Sequence, residues 1–296
     1  MEPVASVLAH FGVAAGRVER AAETLHVQAP AVADRLPELV AAAADPAMAL
    51  AGWEALVEAS TDVAAVGGLG ADELSGLFTL LGGSQVLAAT LRGAGGGWVE
   101  LFRQCWAAGS RAARDHQREI GRAASEPWEP FSERLRQVRH HEYLRIGLND
   151  LAGRYPVDMT MTELSALAAG AFAAACDWAR HTLREQYGEF GHPGAGAQDA
   201  FVVLAMGKLG GGELNFSSDV DVMYLCAPDE GETCGGRRGT LAARAYYARL
   251  AELVTRALQE VTASGFAFRV DLRLRPDGIN GPIVNPVHDA LLYYES

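Results

Sequence analysis

Hydrophobic residues in this chain follow two spacings, and the change between them comes near residue 200. Before that point, apolar positions mostly recur every third or fourth residue, which predicts amphipathic helices; examples are Leu50, Trp53, Leu56 and Val57. Beyond it, short unbroken apolar runs and strict alternation indicate strands. We therefore predict an α+β fold, in which a mostly helical chain carries a small sheet near its C-terminus.

The break Glu126–Pro130 interrupts the helical pattern and is the predicted domain boundary. It separates a helical domain, 1–126, from a second domain, 127–296, whose core begins at about residue 199. Long helices are predicted over about 131–151, 160–187 and 240–263. Thr160 and Glu163 have the spacing of a capping box, which predicts that the middle one of these helices begins at Thr160.

Two predicted strands flank a glycine-rich loop. Phe201–Met206 is an unbroken apolar run, typical of a strand that is buried on both faces. The second strand opens with Asp219 and Asp221, whose side chains alternate onto one face with Cα atoms about 6.6 Å apart. Carboxylates this close repel each other, and a hard divalent cation such as Mg²⁺ would relieve the repulsion.

The loop between these strands, residues 207–218, is predicted to bind phosphate. Gly207 and Gly210 lack a Cβ atom and can turn backbone N–H groups toward an anion, and Lys208, Ser217 and Ser218 add side-chain donors. Phosphate beside paired carboxylates indicates metal-assisted phosphoryl or nucleotidyl transfer.

A third predicted strand, Phe266–Arg275, alternates apolar residues with Arg269, Asp271, Arg273 and Arg275. Asp271 would complete the ion site, and Arg273 or Arg275 would bind phosphate oxygens. The alternative is a solvated strand face that carries ordinary cross-strand ion pairs.

Composition limits the partners. The 296 residues carry a formal net charge of −12, so the chain lacks the basic field that usually attracts nucleic acid. A protein or small-molecule acceptor is expected. No run approaches about 20 uninterrupted apolar residues, so we expect no membrane segment. The four cysteines have no C-x-x-C spacing, which favours free thiols in a reducing cytoplasm.

Two strings, GKLGGGELNFSSDVDV at 207–222 and RVDLRLRPDGINGPIV at 269–284, resemble the nucleotidyltransferase module of glutamine synthetase adenylyltransferases. These bifunctional enzymes add and remove AMP on a tyrosine of glutamine synthetase. The resemblance extends to Leu144–Gly153 and, more weakly, to Leu80–Leu87. Of the two modules in such enzymes, Met206–Gly210 with Glu213–Ser218 is more similar to the first, adenylyl-removing one.

The resemblance implies a polymerase-beta-like nucleotidyltransferase core, a small mixed sheet with helices packed on it and the three aspartates at one end. It also implies phosphorolysis, in which phosphate removes AMP from glutamine synthetase and leaves as ADP. A PII-type signal protein is a further implied partner. Our hypothesis places two Mg²⁺ ions, or Mn²⁺, on Asp219, Asp221 and Asp271, with Asp271 also able to accept a proton.

Other functions fit parts of the pattern. The same module could add AMP to a protein tyrosine from ATP, or it could be a regulatory module without catalysis. A D-x-D glycosyltransferase would leave Asp271 unexplained. A calcium loop of the EF-hand type lacks the required ligand spacing, since Met223 stands at the next ligand position.

Overall fold

The computed structural model describes residues 3–26, 29–60, 63–122, 125–191, 200–227 and 230–296, so the predicted core start at residue 199 lies outside the described residues. The helices are α1 (Val4–His10), α2 (Ala15–Glu23), α3 (Pro30–Ala33), α4 (Leu36–Ala42), α5 (Pro46–Ala59), α6 (Val63–Gly67), α7 (Ala71–Gly83), α8 (Gln85–Gly93), α9 (Trp98–Ala107), α10 (Ala113–Ile120), α11 (Trp128–Leu151), α12 (Val157–Tyr187), α13 (Gly207–Gly210), α14 (Ala243–Gln259) and α15 (Val287–Glu295). The strands are β1 (Phe190–Gly191), β2 (Phe201–Ala205), β3 (Val220–Cys226), β4 (Glu232–Thr233), β5 (Val270–Asp271) and β6 (Val284–Pro286). The predicted α+β class, mostly helical with a small mixed sheet near the C-terminus, is confirmed.

The chain divides into two compact units. The first comprises Met1–Gly109 and His140–Thr160, and the second comprises Ser110–Arg139 and Met161–Ser296. Two of its three limits fall inside the long helices α11 and α12, so each of these helices contributes to both units. The sequence-based boundary between residues 126 and 127 stays a prediction about domain organisation.

The first unit is helical and has an aromatic core. The Trp53 ring centroid lies 5.2 Å from that of Phe78 and 6.5 Å from that of Trp98. The indole N–H of Trp98 donates to Ser60 Oγ at 2.7 Å, so its polar atom is satisfied inside the core. These contacts join α5, α7 and α9, as the predicted apolar stripes require.

The first unit contains a buried ion pair between Glu142 and Arg145. Arg145 lies in Leu144–Gly153, a segment that shares the resemblance to glutamine synthetase adenylyltransferases. Arg145 Nε donates to Glu142 Oε2 at 2.8 Å, and both side chains are buried. The guanidinium also donates to Gly109 O at 3.1 Å and to Tyr155 Oη at 3.0 Å. A buried charge needs such partners, so Arg145 has a structural role in this unit.

The second unit contains the sheet, with β3 at its centre. β2 pairs antiparallel with one edge of β3, from Phe201 opposite Cys226 to Ala205 opposite Val222. β5 and β6 both pair parallel with β3, at its beginning and its end respectively. The sheet is therefore mixed, and its strands all meet at β3.

The prediction that Phe201–Met206 is buried on both faces is wrong. Val202 and Leu204 are 50% and 41% exposed, while Phe201 is buried and stacks on Tyr224 at a centroid distance of 5.4 Å. Within the described ranges β2 pairs with β3 alone, so it is an edge strand with one covered face. An apolar run shows that a strand is hydrophobic but not how many neighbours it has.

Helix α14 covers the face of the sheet that carries Phe201 and Tyr224: the Phe201 ring stacks on Tyr247 of α14 at a centroid distance of 6.5 Å, and Tyr224 Oη lies 2.9 Å from Thr255 Oγ1. The helix ends at Gln259, earlier than predicted, and Arg136 holds that end. The Arg136 guanidinium is fully buried and donates to the carbonyls of Gly265 at 2.8 Å, Ala257 at 3.4 Å and, over a short contact, Glu260. Cations stabilise helix C-termini, so Arg136 fixes the turn that leads into β5.

Helix α12 begins at Val157, three residues before the predicted start. Thr160 therefore lies inside the helix, where its hydroxyl donates to Asp150 Oδ1 at 2.8 Å, and the carboxylate of Glu163 accepts from the backbone N–H of Arg111 at 3.1 and 3.2 Å. By length and composition alone, α12 could cross a membrane, but 67% of its most apolar window is buried inside the fold. That degree of burial is typical of a core helix.

Candidate active site

Two of the three predicted acidic residues are direct neighbours across the sheet. Asp221 on β3 is the register partner of Asp271 on β5 in a parallel pair. Neighbouring strands lie about 4.8 Å apart, and paired residues project from the same face. Asp219 comes one residue before β3 and two before Asp221. The structure thus brings the three backbones together at the start of the central strand.

The glycine-rich loop begins directly against the carboxylate of Asp221. Gly207 has a left-handed backbone, with φ +51°, and a Cβ atom built on it would lie 2.5 Å from Asp221 Oδ2. The N–H of the preceding Met206 donates to Asp221 O at 2.8 Å. Only glycine fits this position without displacing the carboxylate.

Much of the loop's hydrogen-bonding capacity is used within the loop. The N–H groups of Gly210, Gly211 and Gly212 donate to carbonyls of Met206, Gly207 and Leu209 at 2.9 to 3.1 Å. In a helix as short as α13, the first-turn amides have no acceptor inside the helix. The backbone N–H groups available to a phosphate in this loop are therefore those at its start, near Gly207, and the side chain of Lys208 is exposed beside them. Phosphate binding here stays a prediction.

The two predicted serines form the turn that closes the loop. Ser217 has a left-handed backbone, φ +60°, and its carbonyl accepts from Arg269 Nη2 at 2.5 Å. The Ser218 hydroxyl donates to Asn215 Oδ1, and the Ser218 N–H donates to Asn215 O at 3.3 Å. Both serines thus have defined roles in shaping the turn before Asp219.

Arginines pair with two of the three carboxylates. Arg269 Nε donates to Asp219 Oδ1 at 2.5 Å. Arg273 Nε donates to both carboxylate oxygens of Asp271, at 3.0 and 2.8 Å, and the Arg273 backbone N–H donates to Oδ1 at 2.8 Å. The hydrogen bonds from Arg273 lower the pKa of Asp271. In turn Asp271, and then the charges of Asp219 and Asp221, raise the pKa of Arg273, so one cation interacts with all three acids.

The strand that carries Asp271 is much shorter than the predicted Phe266–Arg275. It comprises only Val270–Asp271, because the Asp271 carboxylate bonds to the backbone N–H two residues on and turns the chain. Beyond the turn, Arg275 donates to the carbonyls of Leu272 at 2.8 Å and of Ile279 and Gly281 at 3.4 Å. Arg275 therefore braces this turn, and its predicted contact with phosphate remains a prediction.

Asp219, Asp221 and Asp271 are chemically suited to bind a hard cation, but their carboxylates do not converge on one point in this structure. Across the part of the chain that the structure describes, no three His, Cys, Asp or Glu side chains stand close enough to hold one metal ion. The reason is visible at Asp219 and Asp271, whose carboxylates are directed at guanidiniums. An all-carboxylate donor set suits Mg²⁺ or Mn²⁺. The residues fit such ions if these take the place of Arg269 at Asp219 and of Arg273 at Asp271.

Sequence reasoning missed three residues that shape this site. Arg269 is visible in the sequence as part of the charged alternation, but the pattern does not predict its pairing with Asp219. Arg136 and Ser165, which bonds to the glycine loop, are separated from their partners by 129 and 49 residues. Local pattern carries no signal for contacts at such separations.

Residues 74–296, three-quarters of the chain, match the family described as glutamate-ammonia ligase adenylyltransferase (GlnE). The chain belongs to this family. The match includes every residue of the candidate site. It confirms the predicted resemblance to glutamine synthetase adenylyltransferases, and the chain is thus a member of an adenylyltransferase family.

Similar proteins carry the name bifunctional glutamine synthetase adenylyltransferase/adenylyl-removing enzyme. The one from Shewanella frigidimarina is 40% identical over 161 residues, which are 54% of this chain and 17% of that protein. The one from Nitrosococcus oceani is 43% identical over 166 residues, 55% of this chain and 16% of that protein. The one from Shewanella loihica is 32% identical over 243 residues, 82% of this chain and 25% of that protein. The chain thus spans a quarter or less of the length of these relatives.

Proposed function

We propose that this chain removes AMP from adenylylated glutamine synthetase by phosphorolysis. Two facts support the proposal: Asp221 and Asp271 are paired on adjacent strands with Gly207 against one carboxylate, and the chain belongs to the adenylyltransferase family. The removal direction is inferred from Met206–Gly210, which resembles the first module of such enzymes. The proposal includes the cytoplasm as location and regulation by a PII-type signal protein, both implied by the resemblance.

In this reaction an oxygen of inorganic phosphate forms a bond to the phosphorus of AMP. The bond from that phosphorus to the tyrosine oxygen breaks, and the tyrosine oxygen takes up a proton. The electron pair of the broken bond stays on the tyrosine oxygen, so the products are ADP and unmodified tyrosine, and no oxidation state changes. Negative charge accumulates on the phosphoryl oxygens and the leaving oxygen, so the site must offset it.

Asp219, Asp221 and Asp271 would hold two Mg²⁺ ions, or Mn²⁺, at the start of β3. Bound there, the ions would supply charge neutralisation and alignment of the reacting phosphates. Arg273, released from Asp271, would pair with phosphate oxygens, because its 73% exposed side chain is free to turn. Lys208, at the start of the glycine loop, would contribute a second positive charge.

The test measures two quantities: the ADP released into solution and the AMP that remains attached to glutamine synthetase. Adenylylated glutamine synthetase, phosphate and Mg²⁺ are incubated with the chain, and ADP release is measured. We expect Asp221→Asn to lower the rate at least about 100-fold, because one of the proposed cation ligands is lost. Asp289→Asn is the matched control, since it removes the same charge from an exposed position on α15.

A second incubation tests whether the chain removes AMP or adds it. Unmodified glutamine synthetase with ATP should remain unlabelled, whereas its adenylylation would assign this chain the reverse activity. Wild-type rates in Asp221→Asn, with Asp289→Asn equally active, would show that the paired aspartates do not carry the reaction.

A further inference from the structure

Leu214 is the most deeply buried residue of the glycine-rich loop. Leu214 is 1% exposed, whereas Glu213 and Asn215 on either side are open to solvent. The backbone N–H of Leu214 donates to Ser165 Oγ at 3.1 Å, in a buried contact between residues 49 positions apart. The loop is therefore held from outside at the place where it enters the core.

The direction of the hydrogen bonds at Ser165 follows from its partners. Its hydroxyl donates its one hydrogen to the carbonyl of Met161 at 2.8 Å, one turn earlier in α12. The oxygen is then the acceptor for the N–H of Leu214. Without the hydroxyl, that buried N–H would lose its partner, which is costly inside a protein.

From Leu214 the constraint passes to the start of the loop. The N–H of the adjacent Glu213 donates to the carbonyl of Lys208 at 2.8 Å, so a fixed Leu214 also fixes Lys208. Lys208 lies next to Gly207, the residue in contact with the Asp221 carboxylate. At the other end, Arg269 holds the carbonyl of Ser217. Partners outside the loop thus hold it at Leu214 and at Ser217.

We infer that Ser165 is a positioning residue: its hydroxyl on α12 holds the glycine-rich loop in the shape that receives the phosphate-bearing substrate. This inference rests on the proposed function, because it assigns the loop to phosphate or ADP. Ser165 contacts no substrate. It acts through Leu214 and the Glu213–Lys208 bond.

The experiment compares Ser165→Ala, Ser165→Thr and wild type. For Ser165→Ala we expect KM for phosphate to rise about tenfold with kcat within about twofold, as for loss of one hydrogen bond that serves binding. The dissociation constant of ADP with Mg²⁺, measured by calorimetry without turnover, should rise by a similar factor. Ser165→Thr keeps a hydroxyl and should restore both values.

Hydrogen exchange gives a readout that does not depend on substrate. Amides in residues 207–218 should exchange faster in Ser165→Ala, while the rest of the second unit keeps its protection. The matched control is Thr182→Val, because Thr182 also lies on α12 and also donates to the carbonyl one turn earlier, Trp178, at 2.9 Å. That variant should leave the loop and both affinities unchanged.

Three results would overturn the inference: unchanged exchange in the loop, faster exchange with unchanged phosphate and ADP affinity, or equal effects in Thr182→Val. Failure of the proposed function looks different. In that case wild type releases no ADP, or Asp221→Asn stays active, and the calorimetric and exchange comparison still decides the role of Ser165.

Discussion

Gly207 offers the sharpest test of how the loop and the acids work together. Its backbone has φ +51°, where alanine costs about 1–2 kcal/mol of stability relative to the right-handed region. A Cβ atom at this position would lie 2.5 Å from Asp221 Oδ2. Carbon and oxygen atoms without a covalent bond keep at least about 3.3 Å, so the carboxylate must move by nearly 1 Å.

That displacement affects stability and activity differently. The carboxylate is the end of a rotatable side chain, so it can turn away at little cost to folding. A reacting group misplaced by about 1 Å costs about 100-fold in rate. For Gly207→Ala we therefore expect the free energy of unfolding to fall by about 1–2 kcal/mol and kcat/KM to fall about 100-fold.

Gly212→Ala is the matched control, because Gly212 lies in the same loop with φ +71° and has nothing within 4 Å of a built Cβ. It should show the same loss in urea unfolding and keep transfer activity within about threefold of wild type. If Gly207→Ala and Gly212→Ala lose activity equally, the contact with Asp221 does not position the carboxylate, and the reasoning fails.

Two further predictions concern arginines. Arg273→Ala should tighten Mn²⁺ binding by up to about fivefold, measured by electron paramagnetic resonance without substrate, because the guanidinium no longer competes with the ion for the acids. The control is Arg118→Ala, which removes an equally exposed arginine from an ion pair with Asp115. Weaker Mn²⁺ binding in Arg273→Ala would contradict the proposed competition between Arg273 and the ion. Arg136→Met should lower the free energy of unfolding in urea by about 2–4 kcal/mol, because buried carbonyls at the end of α14 lose a charged donor, and a loss below about 1 kcal/mol would show that the turn holds without it.

Sequence patterns predicted the elements of the site better than their arrangement. Alternation alone placed Asp219 and Asp221 on one side of a strand, because the period of two is a property of the backbone. The partnership of Asp221 with Asp271 depends on which residue of β5 stands opposite β3, and fifty residues separate the two. The turn that leads from α14 into β5 is held by bonds from Arg136 to partners 121 and 129 residues away, and such contacts have no local pattern.

The mistaken burial of β2 has the same origin. Phe201, Val202 and Leu204 are similarly hydrophobic, yet Phe201 is buried and the other two are largely exposed. The hydrophobicity of a side chain indicates that its burial is favourable, whereas its actual exposure depends on whether other helices or strands cover that face of the sheet. An edge strand with an apolar outer face cannot be distinguished from a central strand by its letters alone.

The pairing of arginines with the acids bears on how the proposed cations would bind. Three acids at the start of β3 would repel one another, and Arg269 and Arg273 offset two of them in the structure. A divalent cation that took their place would free these guanidiniums beside newly bound phosphate, so each positive charge keeps a negative partner throughout. The alternation of arginine with Asp271 in the sequence is consistent with both arrangements, the arginine-paired one and the cation-bound one. It predicts which residues lie near the site but not which groups they pair with. Competition between Arg273 and a cation, rather than proximity alone, is therefore the property that experiments on this site should measure.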